Sequence, residues 1–418
     1  MRYTLRSIAF GLATLALANS ANAQGSSYNF IGFGDPVISR HAHIEGVGGA
    51  GTGLADGRLV SDLNPASWSW LTRARLETSF RFERVSSELG ASTAVGNDFR
   101  FNGLSFGAPI GTSMKAAVAL GFSPLTNASY EIEQADATAR RSYVSEGGIS
   151  LAYLGGSFMP TPGLAIGGKL DLLFGNVRHL SALTFEGADR PATSQFQRDY
   201  SVNGLRGSFG LLLHSDSLTP SLKGFTLGVG YSTSSSLVVK RRTSALAAIN
   251  DTTLEIEGEG FYPGSISAGL TYTFDRRYRV LADVITQDFS KAILFAEDAS
   301  VGDPQMQAFM RTSIGFEKVA NMSNEFGSDG GFSRWALRAG AFFATTPFAP
   351  AGTGGVGEIG GSVGVGIPMS AESLLDLSLM VGQRTPTNAD SGASDLFMRF
   401  GLSLGLAEKW FVPTRREE

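Results

Sequence analysis

The chain has 418 residues with 53 Gly, 29 Phe, 10 Tyr and no Cys, and a net charge of -4 from 34 Lys and Arg against 38 Asp and Glu. That balance supplies no basic field for nucleic acid, and the absence of cysteine removes disulfides, thiolate nucleophiles and thiolate metal sites together. No apolar run of about 18 residues occurs beyond the N-terminus, which excludes helical membrane spans, while so much Gly and Phe is unusual for a soluble enzyme.

Residues 1–23 read as a secretory signal. Arg2 and Arg6 form its charged start, Ile8 to Leu17 its apolar core and Ala21-Asn22-Ala23 its cleavage site, so the mature chain is expected to begin near Gln24. The next landmark is Gly46 to Ala66, GVGGAGTGLADGRLVSDLNPA. A stretch so rich in small residues can lay backbone directly against a wall, and residues 24–72 are read as a plug.

From about Ala74 onward, apolar residues alternate with polar or small ones, the period-two mark of strands with two different faces. Ile266, Ala268, Leu270, Tyr272 and Phe274 alternate with Ser265, Ser267, Gly269, Thr271 and Thr273, and Leu396 to Leu406 repeats the pattern. The same rule marks Leu76 to Phe82, Met114 to Phe122, Leu164 to Phe174, Leu205 to Leu213, Phe225 to Tyr231, Trp335 to Phe343, Ile359 to Ile367 and Leu375 to Val381. It marks Phe99 to Ala108, Gly147 to Gly155, Tyr278 to Thr286 and Met306 to Phe316 more weakly. Such alternation accounts for a mean hydropathy of only +0.04. The expected fold is all-β: a transmembrane antiparallel barrel of about 14 strands over residues 73–411, with the plug in its lumen and a short tail at 412–418.

With the first strand taken as rising from the periplasm, the connections fit such a barrel. Pro109 to Gly111, Met159 to Gly163, Asp275 to Arg277 and Met369 to Glu372 are short turns. Pro124 to Ser142, Glu186 to Asp199, Arg241 to Glu257, Phe289 to Gln305 and Thr345 to Val356 are long, as outward loops are in outer-membrane barrels. Val319 to Gly331 is long on the wrong side. A propeller would need a blade signature recurring at about 40 residues, and none is present.

Gly48-Gly49-Ala50-Gly51, Ala55-Asp56 and Asn64-Pro65-Ala66, followed by the first strand, resemble the start of the FadL/TodX-like outer-membrane transport proteins. A second likeness runs through Phe261 to Ser290, and PorV-type barrels serving protein secretion begin similarly. The plug motif is therefore Gly48, Gly49, Gly51, Asp56, Asn64, Pro65 and Ala66. The resemblance implies uptake of long-chain fatty acids or other hydrophobic molecules, released partly through a sideways gap at a kinked early strand, with Pro124 as the kink.

Other motifs have plainer readings. Gly46 to Gly51 spells a dinucleotide G-x-G-x-x-G, but no buried strand precedes it. Ser403 and Ser362 sit in G-x-S-x-G sequences that would serve an acyl hydrolase, with His179 or His214 as base, yet both lie inside uninterrupted alternation. His41-Ala42-His43, followed by Glu45, could offer metal ligands, but H-x-H alone, without carboxylates to orient the rings, reads as polar residues before the plug, so no metal and no cofactor are expected.

Lipid rejects charge at mid-depth, so Glu77, Arg81, Arg100, Lys115, Lys169, Asp171, Arg206, Asp283, Arg311, Arg338, Asp376 and Arg399 should line the lumen. Leu173, Leu212, Leu281, Ile285, Phe342 and Phe397 share that face. With Arg100, Arg338 and Arg399 they form the candidate ligand pocket, suited to a greasy molecule with one polar end. The expected role is passage of hydrophobic compounds across the outer membrane of a Gram-negative-type bacterium without catalysis. The partners are then a fatty acid or hydrocarbon ligand and membrane lipid, or a docked protein if the chain is PorV-like.

Overall fold

The alternation closes on itself. The computed structural model describes Ser26, Tyr28 and residues 32–408, apart from 90–91, 111–114, 136–138, 186–192, 218–221, 247–250, 302–305, 322–331, 350–353, 371 and 389–392. The signal segment, its cleavage site, the tail 412–418 and most of Val319 to Gly331 thus lie outside the described residues.

Fourteen antiparallel strands form one closed barrel. In chain order they are β1 (Ala74–Leu89), β2 (Ser92–Ile110), β3 (Ala116–Pro124), β4 (Ala139–Thr161), β5 (Leu164–Phe185) and β6 (Thr193–His214). Two broken strands follow: β7 (Phe225–Ser232, then Ser235–Leu246) and β8 (Asp251–Tyr262, then Ser265–Phe274). The wall continues with β9 (Tyr278–Asp288), β10 (Ala308–Lys318), β11 (Ala336–Thr345), β12 (Val356–Pro368), β13 (Leu374–Pro386) and β14 (Ala393–Glu408). β14 pairs with β1 from Ala393–Leu89 to Glu408–Ala74, which removes both sheet edges at the level of the belt.

Period two sorts the side chains. Leu172, Leu205, Ile266, Ile314, Phe343, Ile359 and Leu396 stand exposed on the outer face, a belt that only lipid or detergent can satisfy. Two aromatic rows border it. Phe225, Tyr272, Phe274, Tyr278 and Phe316 stack near the short-turn end, and Phe99, Phe80, Phe101, Phe122 and Phe174 form a second row. Of the charges expected inside, Glu77, Arg81, Lys169, Asp171, Arg206, Asp283, Arg311, Arg338, Asp376 and Arg399 are buried on the inner face. Arg100 is only partly buried, paired with Glu83, and Lys115 is exposed just before β3 begins.

The wall is uneven. β4 has 23 residues and β5 and β6 have 22 each, whereas β9 and β10 have 11 and β11 has 10. Segments expected as long connections, Arg241 to Glu257 and parts of Pro124 to Ser142 and Glu186 to Asp199, are instead largely strand, forming a sheet that stands above the belt. Above lipid the outer face meets water and takes charged and polar residues, so the apolar alternation that marks a strand fades while the hydrogen-bonded ladder continues.

Candidate functional site: the lumen and the break in its wall

Residues from Phe33 to Leu71 contact the inner face of strands all around the barrel. Small residues permit this. A Cβ on Gly269 would lie 2.7 Å from the Gly53 nitrogen, and one on Gly48, whose φ is +75°, 2.9 Å from the Ala341 carbonyl oxygen. Polar groups of the wall then satisfy the segment's backbone. Asp283 Oδ2 accepts from the Gly51 and Thr52 amides at 2.8 and 2.6 Å, Ser362 Oγ accepts from Gly48 at 2.9 Å, and Ser403 Oγ accepts from Ala42 at 2.8 Å. The two G-x-S-x-G serines therefore hold backbone, within strands rather than at a strand-to-helix turn.

Asn64-Pro65-Ala66 is a helix-start device. Asn64 Oδ1 accepts from Ala66 N at 3.1 Å, Pro65 occupies the first position of the short 3-10 helix Pro65–Trp70, and Asn64 Nδ2 donates to the Thr52 and Leu211 carbonyls at 2.9 and 3.1 Å. The five-residue helix Ala42–Gly46 is capped by His41, whose Nδ1 accepts from His43 N.

Ion pairs complete the attachment. Glu45 meets Arg81, Arg40 meets Asp62, and Asp35 meets Arg384 at 2.5 Å and Arg399 at 3.5 Å. Asp56 joins Arg58 at 3.1 Å and Arg279 at 2.6 Å. Arg279 continues to Glu317, which also holds Arg338 at 2.9 Å and His43 at 3.2 Å. Burial alone would raise the Asp56 carboxyl, but Arg58 and Arg279 outweigh it and hold the group well below the usual carboxylate range. His41 is pushed down to about 4, chiefly by burial. It is therefore neutral near pH 7, and its 3.8 Å approach to Glu77 is not an ion pair there.

The residues read as a ligand pocket are distributed over the lumen. Leu173 and Ile285 belong to the large apolar cluster with Phe33, Leu125, Tyr262 and Phe289. Leu281 packs under Ile44, Val47 and Leu54, and Leu212 against Ala66 and Ala165. Phe342 and Phe397 sit together with Val85 and Met380, with the Arg311 and Arg399 guanidinium groups 3.7 and 4.1 Å from their ring centres. Arg100 and Arg399 share Glu83, both at 2.8 Å, while Arg338 pairs apart from them with Asp376 at 2.6 Å. Two cavities of about 80 and 40 Å³ lie among these groups, lined by charged and apolar residues alike.

One arc of the wall is interrupted. Pairing of β2 with β3 ends at Leu104–Phe122 among the described residues. Beyond Pro124 the chain turns inward, so that Thr126–Asn127 pairs with Asp35–Pro36 inside the barrel. Leu125 and Ala128 enter the apolar cluster, and strand pairing with β4 resumes at Tyr130–Ser145. Outside this break stand Phe101 and Phe122, stacked at 6.0 Å. Asp35–Pro36 was not singled out in the sequence, because a two-residue strand has no periodicity to find.

The family model for BamG matches residues 4–416. The chain belongs to the BamG family. Its fold is that of FadL-type hydrophobic-compound channels. This BamG-family chain is similar to a Pseudomonas aeruginosa FadL homologue (11% identity, 89% of this chain and 99% of that one, TM-score 0.62). It is also similar to the monoaromatic hydrocarbon channel CymD (15%, 93% and 100%, TM-score 0.60) and to the P. putida toluene transporter TodX (16%, 91% and 100%, TM-score 0.57). No curated protein matches it by sequence.

Proposed function

We propose that this chain passes hydrophobic small molecules, long-chain fatty acids or hydrocarbons, across the outer membrane of a Gram-negative-type bacterium, with residues 24–72 as its plug and without catalysis. The observation that carries this reading is the break beside β3. There, Phe101 and Phe122 on the lipid side are separated from the apolar cluster containing Leu173 and Ile285 by a short inward turn latched to Asp35–Pro36. Release of that latch joins a greasy interior to the bilayer, and a greasy molecule gains by never crossing water on its way. Phe342 and Phe397, under Arg311 and Arg399, offer a second apolar patch with a cationic rim for a carboxylate.

Because the chain has no cysteine, a double variant Asp35→Cys/Asn127→Cys introduces one unique crosslink between paired positions. Uptake of labelled oleate and of toluene in a deletion strain should fall several-fold on oxidation and recover on reduction. Wild-type uptake equal to the deletion strain for every compound tried overturns the reading.

A second reading has its own support: cavities of about 80 and 40 Å³ are far below the roughly 300–1,000 Å³ of small-molecule sites. A lumen with cavities this small suits a PorV-like docking partner in protein secretion. A stoichiometric protein recovered with the chain from membranes, together with no co-purified acyl chain or hydrocarbon, selects this second role.

A further inference from the structure

Where β4 to β8 rise above the belt, their outer face changes chemistry within one or two steps. On β7, Val238 is 52% exposed, and the next two residues on the same face are Lys240 and Arg242. On β5 the exposed Leu172 is followed on the same face by Phe174 and only then by Asn176 and Arg178, and on β6 the exposed Leu205 is followed at once by Asn203 and then by Ser201 and Asp199. Same-face residues lie about 6.6–6.8 Å apart along a strand, so oil-facing and charged surface meet over roughly the thickness of a lipid headgroup. At that boundary a cavity of about 540 Å³ is lined by Arg178, Asp199, Ser201, Lys240, Arg242 and Glu255, among others.

The three cations are not equivalent. Arg178 is engaged by Asp199 at 2.8 Å and Glu146 at 3.5 Å. Lys240 faces Glu257 at 3.5 Å with both side chains more than half exposed, a pairing of little strength. Arg242 stands across the ladder from Glu255 and Asp199 but makes no ion pair with either among the described residues. Two neighbouring cations on one face are thus available to an anion, beside hydroxyl and carboxylate groups of Ser201, Asp199 and Glu255 that suit sugar hydroxyls. Directly below, Val238, Leu172 and Leu205 offer a surface for acyl chains.

We propose that this outer face binds a membrane lipid with a phosphorylated sugar headgroup, its phosphate on Lys240 and Arg242 and its chains over Val238, Leu172 and Leu205. A soluble sugar phosphate would use only the upper half of this surface, and continuity with the belt selects the lipid. The site lies on the opposite side of the wall from the lumen, so it stands apart from any transport role.

The test uses full-length protein in nanodiscs doped with an acylated, bis-phosphorylated glucosamine disaccharide, followed by gentle extraction and native mass spectrometry. Wild type should retain the lipid, and Lys240→Gln/Arg242→Gln should retain at least about ten-fold less, since each cation near an anionic surface contributes roughly five-fold. Lys223→Gln, at the opposite end of the barrel, should match wild type. Retention by the double variant equal to wild type overturns the site, and displacement of the lipid by the soluble phosphorylated disaccharide overturns the lipid assignment. If the double variant fails to fold, the single Arg242→Glu carries the same comparison.

Discussion

Backbone meets backbone where the N-terminal segment touches the wall, and single atoms decide whether it stays. A Cβ on Gly340 would overlap the Gly48 amide. Gly340→Val should therefore unseat the segment at a cost of about 1–3 kcal/mol, measured as new protease cleavage between Gly46 and Ala66 in a barrel that otherwise remains folded. Protonation acts at the same contacts. An unfolded histidine titrates near 6.5, and burial holds His41 at about 4, so between these values the unfolded chain binds more protons and stability rises with pH. The segment should be held fully above about pH 6.5 and progressively loosened toward pH 4. Asp56, held low by Arg58 and Arg279, contributes above its unfolded value of about 3.9 and is lost only in stronger acid. Hydrogen exchange of residues 42–66 across pH 4 to 7 should show the first loss, and His41→Gln should flatten it.

At the scale of elements, the inward turn after β3 depends on two glycines of β4, Gly147 and Gly148, both with positive φ, at +95° and +147°. A side chain on Gly148 would also strike the Thr126 carbonyl. Gly148→Val should cost about 1–3 kcal/mol, read as a lowered unfolding midpoint in detergent, and should lower the oxidised yield of the Asp35→Cys/Asn127→Cys pair. Pro124 marked this place in the sequence, because proline cannot donate to a continuing ladder. Its inner partner was illegible: Asp35–Pro36 is recruited by position in the lumen, not by pattern. The upper halves of β4 to β8 were hidden for a different reason. Lysine, arginine and glutamate on a water-bathed sheet look like a loop when the only clue sought is grease on alternate residues.

Across the whole molecule, the sorting of side chains to two faces was readable from period two, because oil on one side enforces it over every strand. The grouping of Leu173, Leu212, Leu281, Ile285, Phe342 and Phe397 was not, since inward direction says nothing about which strands lie opposite. The belt makes a direct prediction. Ile314→Lys, on the exposed outer face of β10, should cost roughly 2–4 kcal/mol if it lies near mid-depth. Leu254→Lys, equally exposed but above the belt on β8, should change stability by less than about 0.5 kcal/mol. Urea unfolding from liposomes separates the two.

The lopsided rim gives the protein a heading within the plane of the bilayer. A tube of constant height presents the same profile to neighbours on every side, whereas here the strands β4 to β6 are about twice as long as β9 to β11. A neighbour in the membrane therefore meets a different edge from each side, so rotation about the barrel axis becomes a variable that matters.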